Sequence, residues 1–104
     1  MKTSKLIRPA LDWAVAKCEA PEMADHMAEC ECIFEGYRYS TDWKQGGPII
    51  EREKIGTIFI DGEWQAQSFL YEGTGCGPTP LIAAMRCYCS SKLGDEIEIP
   101  EELK

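Results

Sequence analysis

Asp61-Gly62 constrains this chain of 104 residues more than any other feature, because it joins two runs that suit only a sheet. Thr57 to Ile60 and Glu63 to Leu70 are rich in β-branched and aromatic residues, and a two-residue Asp-Gly connection makes such runs pair directly. Both central positions of the turn need positive φ, which Gly takes freely and Asp tolerates. The turn in turn sets the register. Phe59 falls opposite Trp64 and Thr57 opposite Ala66 on one face; Ile58 and Ile60 fall opposite Gln65 and Glu63 on the other. Apolar residues on both faces predict a sheet partly covered on both sides.

Helices flank this hairpin. Thr79 suits an N-cap, Pro80 the first turn and Gly94 the left-handed position after the last turn, so a helix is predicted between them. Its apolar face gathers Leu81, Ile82, Met85, Tyr88, Cys89 and Leu93, with Arg86 and Ser90 turned elsewhere. Near the N-terminus, Thr3 or Ser4 can cap a helix that admits Pro9 early. Ile7, Leu11, Ala14, Val15 and Cys18 then recur at helical spacing, opposite Arg8, Asp12 and Glu19. Trp13 lies off that stripe and is expected to pack beneath a later segment, and Ala20-Pro21 ends the helix.

Between these elements the pattern is weaker. Cys30, Cys32 and Phe34 alternate with Glu31, Ile33 and Glu35; with a turn at Gly36 and alternation through Tyr37 and Tyr39, a short hairpin is expected. Ser40-Thr41-Asp42 and Gln45-Gly46-Gly47 read as loop around Trp43, and Pro48 opens a short helix to about Ile55, stopped by Gly56. Residues 95–104 form an acidic tail in which Ile97 and Ile99 suggest an edge strand. No repeat or linker divides the chain. The expected fold is one α+β domain over residues 1–104, a small antiparallel sheet sandwiched between helices in the α/β/α manner.

Charge excludes several functions. Eleven basic against eighteen acidic residues leave a net charge of −7, which repels phosphate backbones and anionic lipid, so direct nucleic-acid binding is not expected. The longest apolar run, Leu81 to Met85, falls far short of the roughly 20 residues that span a membrane. Lys2, Lys5 and Arg8 followed by Ala14-Val15-Ala16 imitate a signal peptide, but Arg8, Pro9 and Asp12 break its apolar region. A cytoplasmic location with reduced thiols is therefore expected.

Candidate chemistry is sparse. Cys30, Cys32, Cys76, Cys87, Cys89 and His26 invite a zinc reading, but zinc motifs separate paired ligands by roughly two to four residues. On a helix, Cys87 and Cys89 point about 160° apart and cannot chelate together. Core packing is favoured for Cys89, and only Cys30 with Cys32 share a strand face. Cys76, in the glycine-rich stretch Gly73 to Gly77 before a helix, is the best-placed nucleophile, with His26 as the one histidine available as base; nothing in the sequence joins them. Pro78-Thr79-Pro80 departs from both Walker and dinucleotide loops. The acid pairs Glu29 with Glu31 and Glu51 with Glu53 read as solvated faces. No catalytic residues, metal site or cofactor are assigned. A binding site, if any, is expected from Asp42, Trp43, Gly46, Gly47, Trp64, Cys76, Gly77 and Thr79: aromatic walls with backbone donors from two glycine-rich loops.

Two segments carry a resemblance. Ser40-Thr41-Asp42-Trp43-Lys44-Gln45-Gly46-Gly47-Pro48-Ile49-Ile50-Glu51-Arg52-Glu53 is one, and Gly77-Pro78-Thr79-Pro80-Leu81-Ile82-Ala83-Ala84-Met85-Arg86-Cys87-Tyr88, continuing through Ser91 to Glu96, is the other. With Ala10 to Lys17 they resemble the NinX-like proteins of tailed phages and prophages, which are also similar to a phage α/β/α-sandwich domain. Pro21 to Phe34 has no counterpart in that resemblance. It implies a phage accessory product in the host cytoplasm, a sandwich fold, no carried-over activity, and packing of Asp42 to Pro48 near the Gly77 to Pro80 turn. Two function classes follow. The first is a small acidic module that binds a host or phage protein, a basic surface among the options, or a second copy as a homodimer. The alternative is a small-molecule or enzymatic site at the two glycine-rich loops.

Overall fold

The Asp61-Gly62 turn forms with both residues at positive φ, 54° and 85°. In the computed structural model, which describes residues 6, 10–19, 38–70, 73–94 and 96–97, it joins strands β1 (Ile55–Ile60) and β2 (Glu63–Ser68). Their antiparallel register is the one the turn dictates, Phe59 opposite Trp64 and Thr57 opposite Ala66. β1 starts earlier than its β-rich run. The helix before it, α2 (Trp43–Glu53), ends on Lys54 in the left-handed region (φ 54°, ψ 50°), so the chain is extended from Ile55, not from beyond Gly56.

α2 is longer than the short helix expected from Pro48. Its cap is Asp42, whose side chain accepts from Lys44 N at 2.9 Å while its carbonyl accepts from Gln45 N and Gly46 N, each at 3.0 Å. Residues read as loop, Trp43 to Gly47, are thus its first turns, and Pro48 lies inside it. Gly46 explains why two glycines are tolerated there. A Cβ at Gly46 would sit 2.4 Å from Tyr39 O and 2.5 Å from Leu81 Cδ1, so only a glycine lets α2 lie this close to its neighbours.

The stretch read as a flexible glycine loop is a strand, β3 (Thr74–Gly77), paired antiparallel with β2 to give the sheet order β1-β2-β3. Its glycines alternate with the strand period, which leaves one face of β3 bare. The last helix, α3 (Pro80–Leu93), fills that space: a Cβ at Gly75 would lie 2.5 Å from both Ala83 O and Cys87 N, and one at Gly77 2.9 Å from Ile82 Cγ2. Helix backbone rests almost directly on strand backbone. α3 is bounded as its capping residues predict. Thr79 Oγ1 accepts from Ile82 N at 3.1 Å, and Gly94 N–H closes on Ser90 O. Gly94 has positive φ (84°) but ψ of −170°, an extended conformation open to glycine and not the left-handed helical one.

α3 is the central element. The sheet lies against its Ala83 and Cys87 side, and α1 (Ala10–Glu19) and α2 pack elsewhere on it. Leu11, Val15, Ile49, Leu81, Met85 and Cys89 meet in the core between them, with Trp13 buried among them. Cys87 is buried on the sheet side, so both thiols of that pair are interior, on different sides of α3. Asp12 departs from its expected solvent side. It is fully buried and accepts from Ser40 N at 2.8 Å and Ser40 Oγ at 2.7 Å, tying α1 to the turn ahead of α2.

Three helices and a three-stranded antiparallel sheet thus make one α+β domain among the described residues. The helical cover seen among them is on the face of Ile55, Ala66, Ser68, Gly75 and Gly77, all buried. The other face carries Ile58, Gln65, Gln67, Thr74 and Cys76, all exposed. The expected Thr3 or Ser4 cap, the hairpin through Cys30 to Tyr37, His26 and Ile99 lie outside the described residues; Tyr39 belongs to a turn in which Thr41 N and Asp42 N both bond Arg38 O.

Candidate functional site

The open sheet face holds a groove of about 520 Å³, lined by residues from all three strands together with Phe69. Its floor is built by strand alternation: Ile58 from β1, Gln65 and Gln67 from β2, and Thr74 and Cys76 from β3 point the same way. Phe69 makes its wall. After β2 the chain turns back, Phe69 N bonding Lys54 O at 2.9 Å and Ser68 Oγ donating to Glu53 O at 2.9 Å, and the Phe69 ring comes over Gly56, where a Cβ would sit 2.9 Å from Cε2. Phe69 is nonetheless 77% exposed, Ile58 56% and Phe59 58%, with Ile60 and Leu70 also exposed beside them. Among the described residues, none that lines the groove is charged. What it offers is apolar area, two amides, a hydroxyl and a thiol.

The residues singled out from sequence do not converge there. Cys76 does line the groove, from a strand and not from a loop ahead of a helix. Trp64 and Gly77 belong to the opposite, helix-facing side, Trp64 set edge-to-face against Phe59 with centroids 5.4 Å apart. Trp43 opens α2 and is 54% exposed, away from the groove. Asp42 and Thr79 use their side-chain oxygens as helix caps. Gly46 abuts Leu81, the residue after the Gly77 to Pro80 turn, while Gly47 meets nothing nearer than Trp43 at 4.0 Å. The residues that sequence reasoning missed are Gln65, Gln67, Phe69 and Thr74. Their signal was the alternation Gln65-x-Gln67 against the bare glycines of β3, which marks one face as polar and unpacked.

A second cluster ties helices together. Arg52 donates to Glu19 through Nη1 (3.0 Å) and Nη2 (2.6 Å) and to Glu53 Oε2 through Nε (2.8 Å). The Tyr88 hydroxyl donates to Glu19 Oε2, and Lys92 Nζ lies 3.2 Å from Glu53 Oε1. Glu53, read as part of a solvated face, is only 7% exposed; Glu51 is the solvated member of that pair. The Arg52 hydrogen bonds hold the Glu19 carboxyl below the usual range, against the effect of its burial. Burial pushes Glu53 up, but the hydrogen bonds from Arg52 and Lys92 outweigh it and hold the carboxyl low. Burial, then the bond to Glu19, raises Tyr88 above its ordinary value. With acids matched by cations, the cluster pins α1, α2 and α3 together.

Arg86 is a similar staple. Its Nε donates to Leu6 O at 2.8 Å and its Nη1 to Cys76 O at 2.7 Å, fastening β3 to the segment before α1. Burial pushes the thiols of Cys18 and Cys87 up to about 11, and Cys89 well above its ordinary value, so they stay protonated and unreactive. The Cys87 thiol donates to Gly73 O at 3.4 Å. Among the described residues, no three His, Cys, Asp or Glu side chains converge as a metal set. No described helix is long and apolar enough to cross a membrane.

Comparison with known proteins places the chain. The family model described as bacteriophage P22, NinX matches residues 2–92, and the chain belongs to that family. Among curated proteins, nothing matches it.

Proposed function

From membership of that phage family, we propose that the chain is an accessory protein acting in the host cytoplasm as a small protein-interaction module, and that its contact surface is the open sheet face with the adjoining β1 edge. The observation that carries this reading is the set of large apolar side chains in water there, Ile58, Ile60, Phe69 and Leu70, with Phe59 exposed on the other face of the same β1 edge. Small soluble domains seldom expose neighbouring apolar residues of this size unless another surface covers them. The uncharged groove between them suits an extended segment or a flat apolar patch of a partner. The net charge of −7 keeps the remaining surface soluble and selects against anionic partners.

The test is affinity capture from phage-infected host cells with surface-specific variants. A genuine partner is lost with Gln65→Arg and Thr74→Arg, which put bulky cations on the groove floor, and is kept with Lys44→Glu on exposed α2. Equal capture by all forms would remove the surface from consideration. The groove volume also lies in the range of small-ligand sites, roughly 300–1,000 Å³. A native mass spectrum showing a retained neutral molecule, lost in Gln65→Arg, would favour that second reading.

A further inference from the structure

We propose that the β1 edge pairs with a second copy of this chain, antiparallel, about a two-fold axis at Ile58, to give a continuous six-stranded sheet. The inference rests on the protein-interaction reading and names one occupant for part of that surface.

Three observations lead there. First, among the described residues β1 is an unguarded edge. Monomeric proteins blunt edge strands with charge, proline, a bulge or shortness; Ile55 to Ile60 has none of these, and its last four residues are all exposed. The other edge, β3, is only four residues long. Second, the edge is charge-complementary to itself. Lys54 stands at its start, Asp61 at its end and nothing charged between, and among the described residues neither forms an ion pair. Antiparallel pairing reverses the partner strand, so each Lys54 end meets the other copy's Asp61 end. The interface is then neutral despite the net charge, and the remaining repulsion is screened beyond about 8 Å at physiological salt.

Third, symmetry selects the register. A two-fold axis relating edge-paired antiparallel strands stands perpendicular to the sheet, so opposed residues share a face and the axis must pass through a residue pair, not between two. The candidates are Thr57 and Ile58. Centring on Thr57 recruits Ile55, which is only 7% exposed and already in the core. Centring on Ile58 uses the exposed residues: Ile58 meets its own copy, Thr57 meets the other copy's Phe59, and Ile60 meets Gly56. That last pairing uses Phe69, whose ring overhangs Gly56 while most of it is in water. Ile60 of the second copy would cover it, an aromatic–aliphatic contact on a glycine position. Both grooves then lie on the same side of the joined sheet.

The test is sedimentation of the intact chain from about 5 μM to about 500 μM, with cross-linking to fix the register. The wild type should pass from one chain to two across that range. Ile58→Lys, which opposes two cations at the axis, should lower the association constant at least about tenfold with unchanged thermal unfolding. In a Cys76→Ser background, Ile58→Cys should oxidise to a disulfide dimer, because directly opposed Cβ atoms lie about 4.5–5.5 Å apart; Glu63→Cys should not. A wild type that stays monomeric throughout, an Ile58→Lys that associates equally, or an Ile58→Cys that cross-links no faster than Glu63→Cys would each overturn the dimer. A monomer that still captures a partner through Gln65 and Thr74 overturns only the dimer. Dimerisation without such capture overturns the open-face reading and leaves the dimer.

Discussion

Gly46 and Gly47 are adjacent in α2, and alanine should be far more costly at the first than at the second. Both are helix-interior residues, where Gly→Ala is worth roughly 0.5–1 kcal/mol in backbone entropy. At Gly47 the new methyl lies 4.0 Å from Trp43 Cε3, an ordinary contact, but the ring of Pro48 disfavours helical backbone for a preceding residue that carries a Cβ, so the two effects should nearly cancel. For a domain of this size 1 kcal/mol shifts the midpoint by about 4–8 °C, so Gly47→Ala should melt within about 4 °C of the wild type. At Gly46 the methyl falls 2.4 Å from Tyr39 O and 2.5 Å from Leu81 Cδ1. The first is backbone and the second a side chain only 2% exposed, held by the core between α2 and α3. Separation to normal contact needs a shift of most of an ångström, and overpacking of this kind costs about 1–3 kcal/mol. After the propensity gain, Gly46→Ala should lose about 1–2 kcal/mol and melt about 5–15 °C lower. Thermal and urea unfolding followed by far-UV circular dichroism measure both. A Gly46→Ala protein as stable as the wild type would refute the close contact of α2 with Leu81 and Tyr39.

Three further outcomes follow from the same packing. Glu19 and Glu53 titrate below their ordinary values, so their pairing stabilises fully above about pH 4.5 and is lost as pH falls through the lowered native values; Arg52→Met should destabilise at neutral pH and flatten the acid limb of a stability–pH curve, and an unchanged limb would deny the cluster its role. Asp12→Ala strands the buried Ser40 N and Oγ donors and should cost about 2–4 kcal/mol in urea unfolding, whereas a surface-sized effect under about 0.5 kcal/mol would argue that Asp12 is not buried. Peptide-mapped alkylation at mild alkaline pH should label Cys76 well before Cys87 and Cys89, since of these three Cys76 alone is exposed; labelling at equal rates would contradict the interior placement of the other two.

The legible parts of this sequence were those in which one residue type has one physical use. Asp61-Gly62 set a turn, the turn set the register, and the observed pairing follows residue by residue. Thr79, Pro80 and Gly94 bounded α3 for the same reason. Misreadings came where a residue has two uses. Pro48 suits a first turn but also tolerates a later position, and Asp42 competed for the cap with a side chain that reaches Lys44 N. The glycines at 73, 75 and 77 read as loop because glycine is usually counted for flexibility. Here two of them are there for the missing side chain, and the clue was their period of two. Asp12 and Glu53 were placed in solvent by charge alone, since burial of a charged group depends on partners, Ser40 and Lys92, that lie far along the chain.

The open face was the least legible feature, and its cause lies in the glycines of β3. With Gly75 and Gly77 bare, α3 settles onto β3 and β2 so closely that one helix covers the helix-facing side of the small sheet. Among the described residues, α1 and α2 then pack mainly on α3, and the core they form lies on that side of the sheet. A strand face left over in this way would ordinarily turn fully polar. Gln65, Gln67 and Thr74 do so, but Ile58 and Phe69 do not, and Phe59 and Ile60 stay exposed along the edge. Apolar residues left in water where the core has no use for them cost solubility, so their place in the molecule is best understood as a contact with something else.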